Sequence, residues 1–154
     1  MSMFSDMLLK KSTTVIAFII LISIIVIGII FDMLGVAVTV ADERPFNSMA
    51  SSKIKGAKSS LMLIKNAGRV SNVFNDVVGD TCGIISGTSA AFIVSQIGGS
   101  VDFIDAVVFS MILSGLVAAG TIGGKAMGKD IAIGRSKEIV TIVGKIISVF
   151  TERK

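Results

Sequence analysis

Three long apolar runs, set apart by charged stretches, organise this chain. From Val15 to Phe31 the sequence VIAFIILISIIVIGIIF has no charge and only Ser23 and Gly28 as weak interruptions. That length is close to the roughly 20 residues with which a helix crosses about 30 Å of hydrocarbon. The pattern predicts a first span over about 13–40, passing through Asp32 before the chain turns polar at Asp42. A second span is predicted over about 71–97: it opens with Asn72, Asn75, Asp76 and Asp80 and then runs cleanly through CGIISGTSAAFIVSQI. A short GGSVD turn leads into a third, about 102–123, whose interior holds only small and weakly polar residues beyond Asp105.

The stretches between the runs are basic. Residues 42–70 carry Arg44, Lys53, Lys55, Lys58, Lys65 and Arg69 against Asp42 and Glu43, with Met49, Leu61, Leu63 and Ile64 as intermittent apolar positions. This reads as a helical hairpin lying at the membrane interface, or, around Lys53 to Lys58, as a solvated loop. Beyond the third span, residues 130–152 place Ile139, Val143, Ile146 and Phe150 at helical spacing after Ser136, which predicts an amphipathic juxtamembrane helix. The expected fold is therefore a single all-α membrane domain: three transmembrane helices, a cytoplasmic helical hairpin after the first, and a juxtamembrane helix at the C-terminal end.

Lys and Arg number six in the first long loop and seven in the tail, with none between the second and third runs, where Asp102 and Asp105 stand instead. By the positive-inside rule the loop and tail are cytoplasmic and the N-terminus lies outside, in a multi-pass protein of the cell membrane. Lys10 and Lys11 oppose that orientation mildly. They also open a competing reading, a secretory signal with a small-residue cleavage site at Thr39-Val40-Ala41, but the apolar run exceeds the roughly 7–15 residues of a usual signal core. No internal repeat suggests an inverted-repeat transporter within one chain.

Composition narrows the chemistry. A hydrophobic fraction of 52% and a mean hydropathy of +0.85 suit lipid rather than water. Trp, Tyr and His are absent, which removes His catalysis and His metal ligation and leaves Phe alone for an interfacial aromatic belt. The single Cys82 can form no intrachain disulfide. A net charge of +4 without interleaved aromatics does not suit nucleic acid; anionic lipid headgroups are the partners these charges fit.

Among local motifs, Gly83 with Gly87, Gly87 with Ala91, and Gly120 with Gly124 and Gly128 repeat the small-xxx-small spacing by which membrane helices approach closely, within one protomer or across a homodimer. The stretch AGTIGGKA from Ala119 to Ala126 superficially resembles a phosphate-binding loop, but it lacks the first Gly, has Ala126 where a magnesium-holding hydroxyl is needed, and follows a span instead of a strand. No nucleotide site is expected. The ionisable and amide groups in or beside the spans are more telling: Asp32, Asn72, Asn75, Asp76, Asp80 and Lys125. Charges near hydrocarbon turn toward a bundle interior, a cavity or one another, and carboxylate and amide oxygens are the ligands Mg²⁺ and Ca²⁺ prefer. The plainer reading is a set of interfacial groups, or a salt bridge from Lys125 to Asp32 or Asp80 that fixes helix register.

At these residues the chain resembles the transmembrane domain of the CNNM/CorC family of magnesium-transport proteins, over about residues 30–150. The matching landmarks are Ala37-Val38-Thr39, Met49-Ala50, Gly56-Ala57-Lys58, Ile64-Lys65-Asn66-Ala67-Gly68-Arg69, Ile131-Ala132 and Ser136-Lys137-Glu138-Ile139-Val140. The resemblance implies three transmembrane helices, a cytoplasmic hairpin, a juxtamembrane helix, a homodimer and an ion site on the cytoplasmic side of the bundle. The family's site takes a Ser ending the first helix, an Asn in a Gly-Asn motif and a Glu in a Gly-Glu motif. Here those positions fall on Asp32, on Asn75-Asp76 or Gly79-Asp80, and on Gly124-Lys125. The family's following Pro-Lys appears as Gly128-Lys129, and no segment of the 154 residues corresponds to the CBS regulatory module of many relatives.

Lys125 is the departure that matters, because an ammonium cannot ligate a metal and repels a divalent ion. Two expectations follow. In one, Asp32, Asn75, Asp76 and Asp80 bind Mg²⁺ or another cation and a homodimer transports it. In the other, Lys125 is a built-in cation paired with Asp32 or Asp80, and the protein is a non-transporting scaffold or regulatory subunit. No nucleophile–base pair is visible, so no enzymatic activity is expected, and Mg²⁺ is the sole cofactor considered.

Overall fold

A computed structural model describes the backbone of residues 2–98 and 103–151 and the side chains of 14–95 and 107–149. The side chains of Lys10, Lys11, Asp102, Asp105 and Phe150 and most of the GGSVD turn lie outside the described residues. Among those described the chain is all-α: α1 (Ser2–Val40), α2 (Glu43–Ser51), α3 (Ala57–Lys65), α4 (Ala67–Asn72), a π-helical stretch (Val73–Gly79), α5 (Asp80–Gly98), α6 (Phe103–Gly134) and α7 (Ser136–Thr151). Among the described residues three stretches are long and apolar enough to cross a membrane: Thr14–Val40, Ala67–Ser95 and Val107–Gly134.

The third apolar helix runs past the expected span end near 123 to Gly134, carrying Lys125, which pairs with Asp32, and the exposed Lys129 and Asp130. The tail helix accordingly starts at Ser136 and not at 130, and the second apolar stretch starts at Ala67 and not at 71.

By contacts the chain divides into two compact units. The first takes the part of α1 up to Gly28, all of α5, and α6 as far as Gly124. Leu21, Ala90, Ile93 and Leu113 form its small core, wrapped by Phe18, Ile25, Phe109 and Val117. Gly28 admits the Cys82 Cβ to 3.0 Å from where its own Cβ would stand. Ile22, Met111, Leu116 and Ile122 are exposed, the last at 69%, a surface that water penalises and lipid tails accept.

The second unit comprises Ile29–Gly79 and the chain from Lys125 onward. Asp42 caps α2, its Oδ1 accepting from the Arg44 N–H at 3.0 Å, and Pro45 falls in the first turn where its missing donor is not needed. Phe46 is fully buried with Ala37, Val38, Ile64, Ala132 and Val140. α3 packs on α2 and on α7. The α3–α7 crossing is close because its contact residues are small: Gly56, at φ 84°, lies against the Lys145 backbone, and Gly144 lies against Ser60 and the Gly56 carbonyl. The Ser60 hydroxyl donates to the Val140 carbonyl at 3.0 Å, across the crossing.

The most buried positions of α7 are Val140, Gly144 and Ser148, while of the stripe that periodicity selects Ile139 packs partly buried against the core and Val143 is half-buried. Ile146 is exposed, because close backbone approach rewards small residues over large apolar ones.

Gly144→Ala would drive a methyl into the Gly56 carbonyl and the Ser60 N–H, 2.7 and 2.9 Å from its position. The expected cost is about 1–3 kcal/mol, read as a lower thermal midpoint of the purified protein in detergent. Gly68→Ala, whose added methyl meets open space, is expected to leave the midpoint unchanged or raise it slightly.

Candidate functional site

Within the second unit, α1, the π-helical stretch and α6 bring polar groups together inside apolar segments. Asp32, about two turns before the end of α1, is buried at 6% exposure. The Lys125 ammonium of α6 lies 3.7 Å from its Oδ1, with the lysine side chain 27% exposed. Gly128, one turn further on, lets α6 settle on α1: a Cβ there would stand 3.5 Å from Ile29 Cγ2 and 3.7 Å from Met33 Cβ. Asp32 lies between those two residues on α1, so the seating of Gly128 also sets the reach of Lys125.

The π-helical stretch supplies the third side. Its wider winding changes which residues face a neighbour, and such segments concentrate where a helix serves a function. Phe74 packs edge-on against Phe31, centroids 5.4 Å apart at 76°. The next residue, Asn75, turns its side-chain amide onto α1 at Gly35, where any Cβ would collide with it. Gly35 follows Asp32 by three residues, less than one helical turn, so the amide reaches the Asp32 face of α1. The Asn75 Nδ2 donates to Ser71 Oγ at 3.2 Å. Gly79, closing the π-helical stretch, is buried, and a Cβ there would be 3.6 Å from the Lys125 Nζ.

Among the described residues two buried oxygens here have no hydrogen-bond partner: Asp32 Oδ2 and Asn75 Oδ1. Each costs about 1–3 kcal/mol or more if left so, so each atom is suited to a further donor, a water or a cation. Asp76 and Asp80 are exposed, and among the described residues no three His, Cys, Asp or Glu side chains are placed to hold a metal ion. An ammonium near 4 Å from the principal carboxylate cancels its charge and disfavours a divalent ion.

Of the glycines expected at helix contacts, Gly128 packs as described and Gly124 is half-buried, whereas Gly83, Gly87 and Gly120 have no neighbour within 4 Å of a Cβ position among the described residues. Gly35 and the π-helical winding are the features that sequence reasoning missed. The spacing Asp32-x-x-Gly35 carried a signal, a small residue on the same helix face as an intramembrane acid. The changed winding of 73–79 has no comparable mark in the sequence.

Compared with protein-family models, characterised proteins and solved structures, the chain matches none.

Gly35→Ala is expected to displace the Asn75 amide and lower the thermal midpoint in detergent by the equivalent of about 1–3 kcal/mol. In the Asn75→Ala background the same change should cost little, because its obstacle is gone. Additive losses in the double variant would show that Gly35 is not set by the amide.

Proposed function

We propose that this chain is a membrane-embedded helical protein whose buried acid is balanced by its own lysine, on the plan of the CNNM/CorC transmembrane domain. It acts as a non-transporting scaffold or regulatory subunit. The observation that carries this reading is the 3.7 Å approach of the Lys125 ammonium to Asp32. Lys125 holds the position at which the resembled family has a metal-binding Glu, so a tethered +1 charge takes the place of a mobile cation. Six-coordinate Mg²⁺ demands a near-ideal octahedron of oxygens at about 2.1 Å. The exposure of Asp76 and Asp80 supports this reading.

A second reading, a homodimer that moves Mg²⁺ or another divalent cation through a site on the cytoplasmic side, is favoured by the unpartnered Asp32 Oδ2 and Asn75 Oδ1. In that case Lys125 swings away when the ion enters, a movement for which its partial exposure leaves room. Both readings take the basic segments 42–70 and 130–152 as cytoplasmic, on the Lys and Arg asymmetry.

The two readings separate in a thermal-stability titration with Mg²⁺ on the purified protein. With a lysine in the site, the wild type shows no shift at millimolar Mg²⁺, while Lys125→Glu gains one, about 1.4 kcal/mol when the ion is at ~10 times its dissociation constant. Asp32→Ala in the Lys125→Glu background abolishes the gain. A Mg²⁺-dependent shift in the wild type that Asp32→Ala removes would instead show an ion site at Asp32, as the second reading requires, and contradict the lysine-balanced one.

A further inference from the structure

The turn between α2 and α3 is held in an unusual form. Lys53 takes a left-handed φ of 55° and Gly56 one of 84°, and the Lys53, Ile54 and Ala57 N–H groups are all bonded locally, to Ala50, Met49 and Ile54 carbonyls at 3.0–3.2 Å. A left-handed lysine is costly, so the surrounding structure fixes this shape. It presents Lys53, Lys55 and Lys58 around a pocket of about 440 Å³. The same turn lies against the Lys145 backbone through Gly56, and a neighbouring pocket of similar size is lined by Ile54, Lys55, Lys145, Ser148 and Val149.

All four lysines are exposed, and among the described residues none is in an ion pair. No carboxylate lines either pocket. Gly56 offers α3 no capping side chain, which adds the first-turn N–H groups of Lys58 and Ser59 to the positive surroundings. Interleaved with this charge are exposed apolar side chains: Ile54, and along α7 Ile142, Ile146 and Val149.

Connectivity keeps the patch near the bilayer. α2 starts just after the first apolar helix ends at Val40, α3 is followed at once by the apolar stretch from Ala67, and only Arg135 separates α6 from α7. The nine residues of α2 cover about 13 Å, so the lysines stay within a short distance of the headgroups, on the order of the ~10 Å screening length.

We propose that the α2–α3 turn and the outer face of α7 form a binding site for the phosphate of an anionic lipid headgroup, with Lys53, Lys55, Lys58 and Lys145 around the phosphate and Ile54, Ile146 and Val149 among the acyl chains. The mixture favours lipid over a soluble phosphate: a free anion uses the charge and leaves the apolar stripe in water, whereas a lipid satisfies both.

Native mass spectrometry of the detergent-solubilised protein, offered equimolar phosphatidylglycerol and phosphatidylcholine, tests this directly. The wild type is expected to retain phosphatidylglycerol preferentially. Substituting Lys53→Gln, Lys55→Gln and Lys145→Gln together should lower that retention by roughly 100-fold, about fivefold for each lysine. A control with the same charge change elsewhere, Lys65→Gln, Lys129→Gln and Lys137→Gln, should retain it. Equal retention of both lipids by the wild type, equal loss in the two triple variants, or displacement of the lipid by equimolar inorganic phosphate would each overturn the proposal. The lipid comparison and the phosphate competition need no variant to fold.

Discussion

A carboxylate and an ammonium placed inside apolar helices constrain this structure more than any other contact. Taken alone, either charge at the centre of a bilayer costs about 2.5–3.5 kcal/mol on insertion scales and more by other estimates. At 3.7 Å, Lys125 and Asp32 largely cancel each other's field. That cancellation accounts for an otherwise puzzling sequence: an apolar helix with Asp32 before its end, and another that carries Lys125 on toward Gly134 without a break. The pair stabilises mainly by avoiding a penalty, since breaking a buried pair by removing one member leaves the other stranded.

Much of the second unit is arranged so that the pair can form. Gly128 lets α6 lie close enough to α1 for the lysine to reach, Gly35 leaves room for the Asn75 amide, and the π-helical winding of 73–79 directs that amide toward α1. Farther along the same unit, Gly56, Ser60 and Gly144 hold α3 on α7 by close backbone approach. A positive charge at the heart of the polar cluster, with two oxygens still unpartnered, describes a site that resembles an ion-binding one in its surroundings and departs from it in its electrostatics.

The hydropathy pattern made the class of the fold legible: three long, largely apolar stretches with charged intervals admit few alternatives, and helices are the form in which an apolar stretch satisfies its own backbone. Boundaries were harder, because a charge within an apolar run reads as the end of a span when its partner lies far away in sequence, as Lys125 does from Asp32. The same limitation left the choice between Asp32 and Asp80 open. On α7 the large apolar residues dominated the periodicity, yet the closest approach to α3 is made at Gly144, whose small size leaves no hydrophobic signal. The π-helical stretch was illegible for a related reason: nothing in VFNDVVG marks its winding, and the contacts of Phe74 and Asn75 with α1 that accompany it are distant in sequence.

The most direct test of the account is a charge-swap cycle on the central pair. The thermal midpoint and the yield of monodisperse protein in detergent would be measured for Asp32→Lys, for Lys125→Asp, and for the two together. Each single change is expected to set a buried charge at position 32 against a like charge at position 125 and to destabilise by up to about 3–5 kcal/mol, and the exchanged pair to recover most of the loss. If the double variant is no better than the sum of the single ones, Asp32 and Lys125 do not depend on each other and the central claim is wrong.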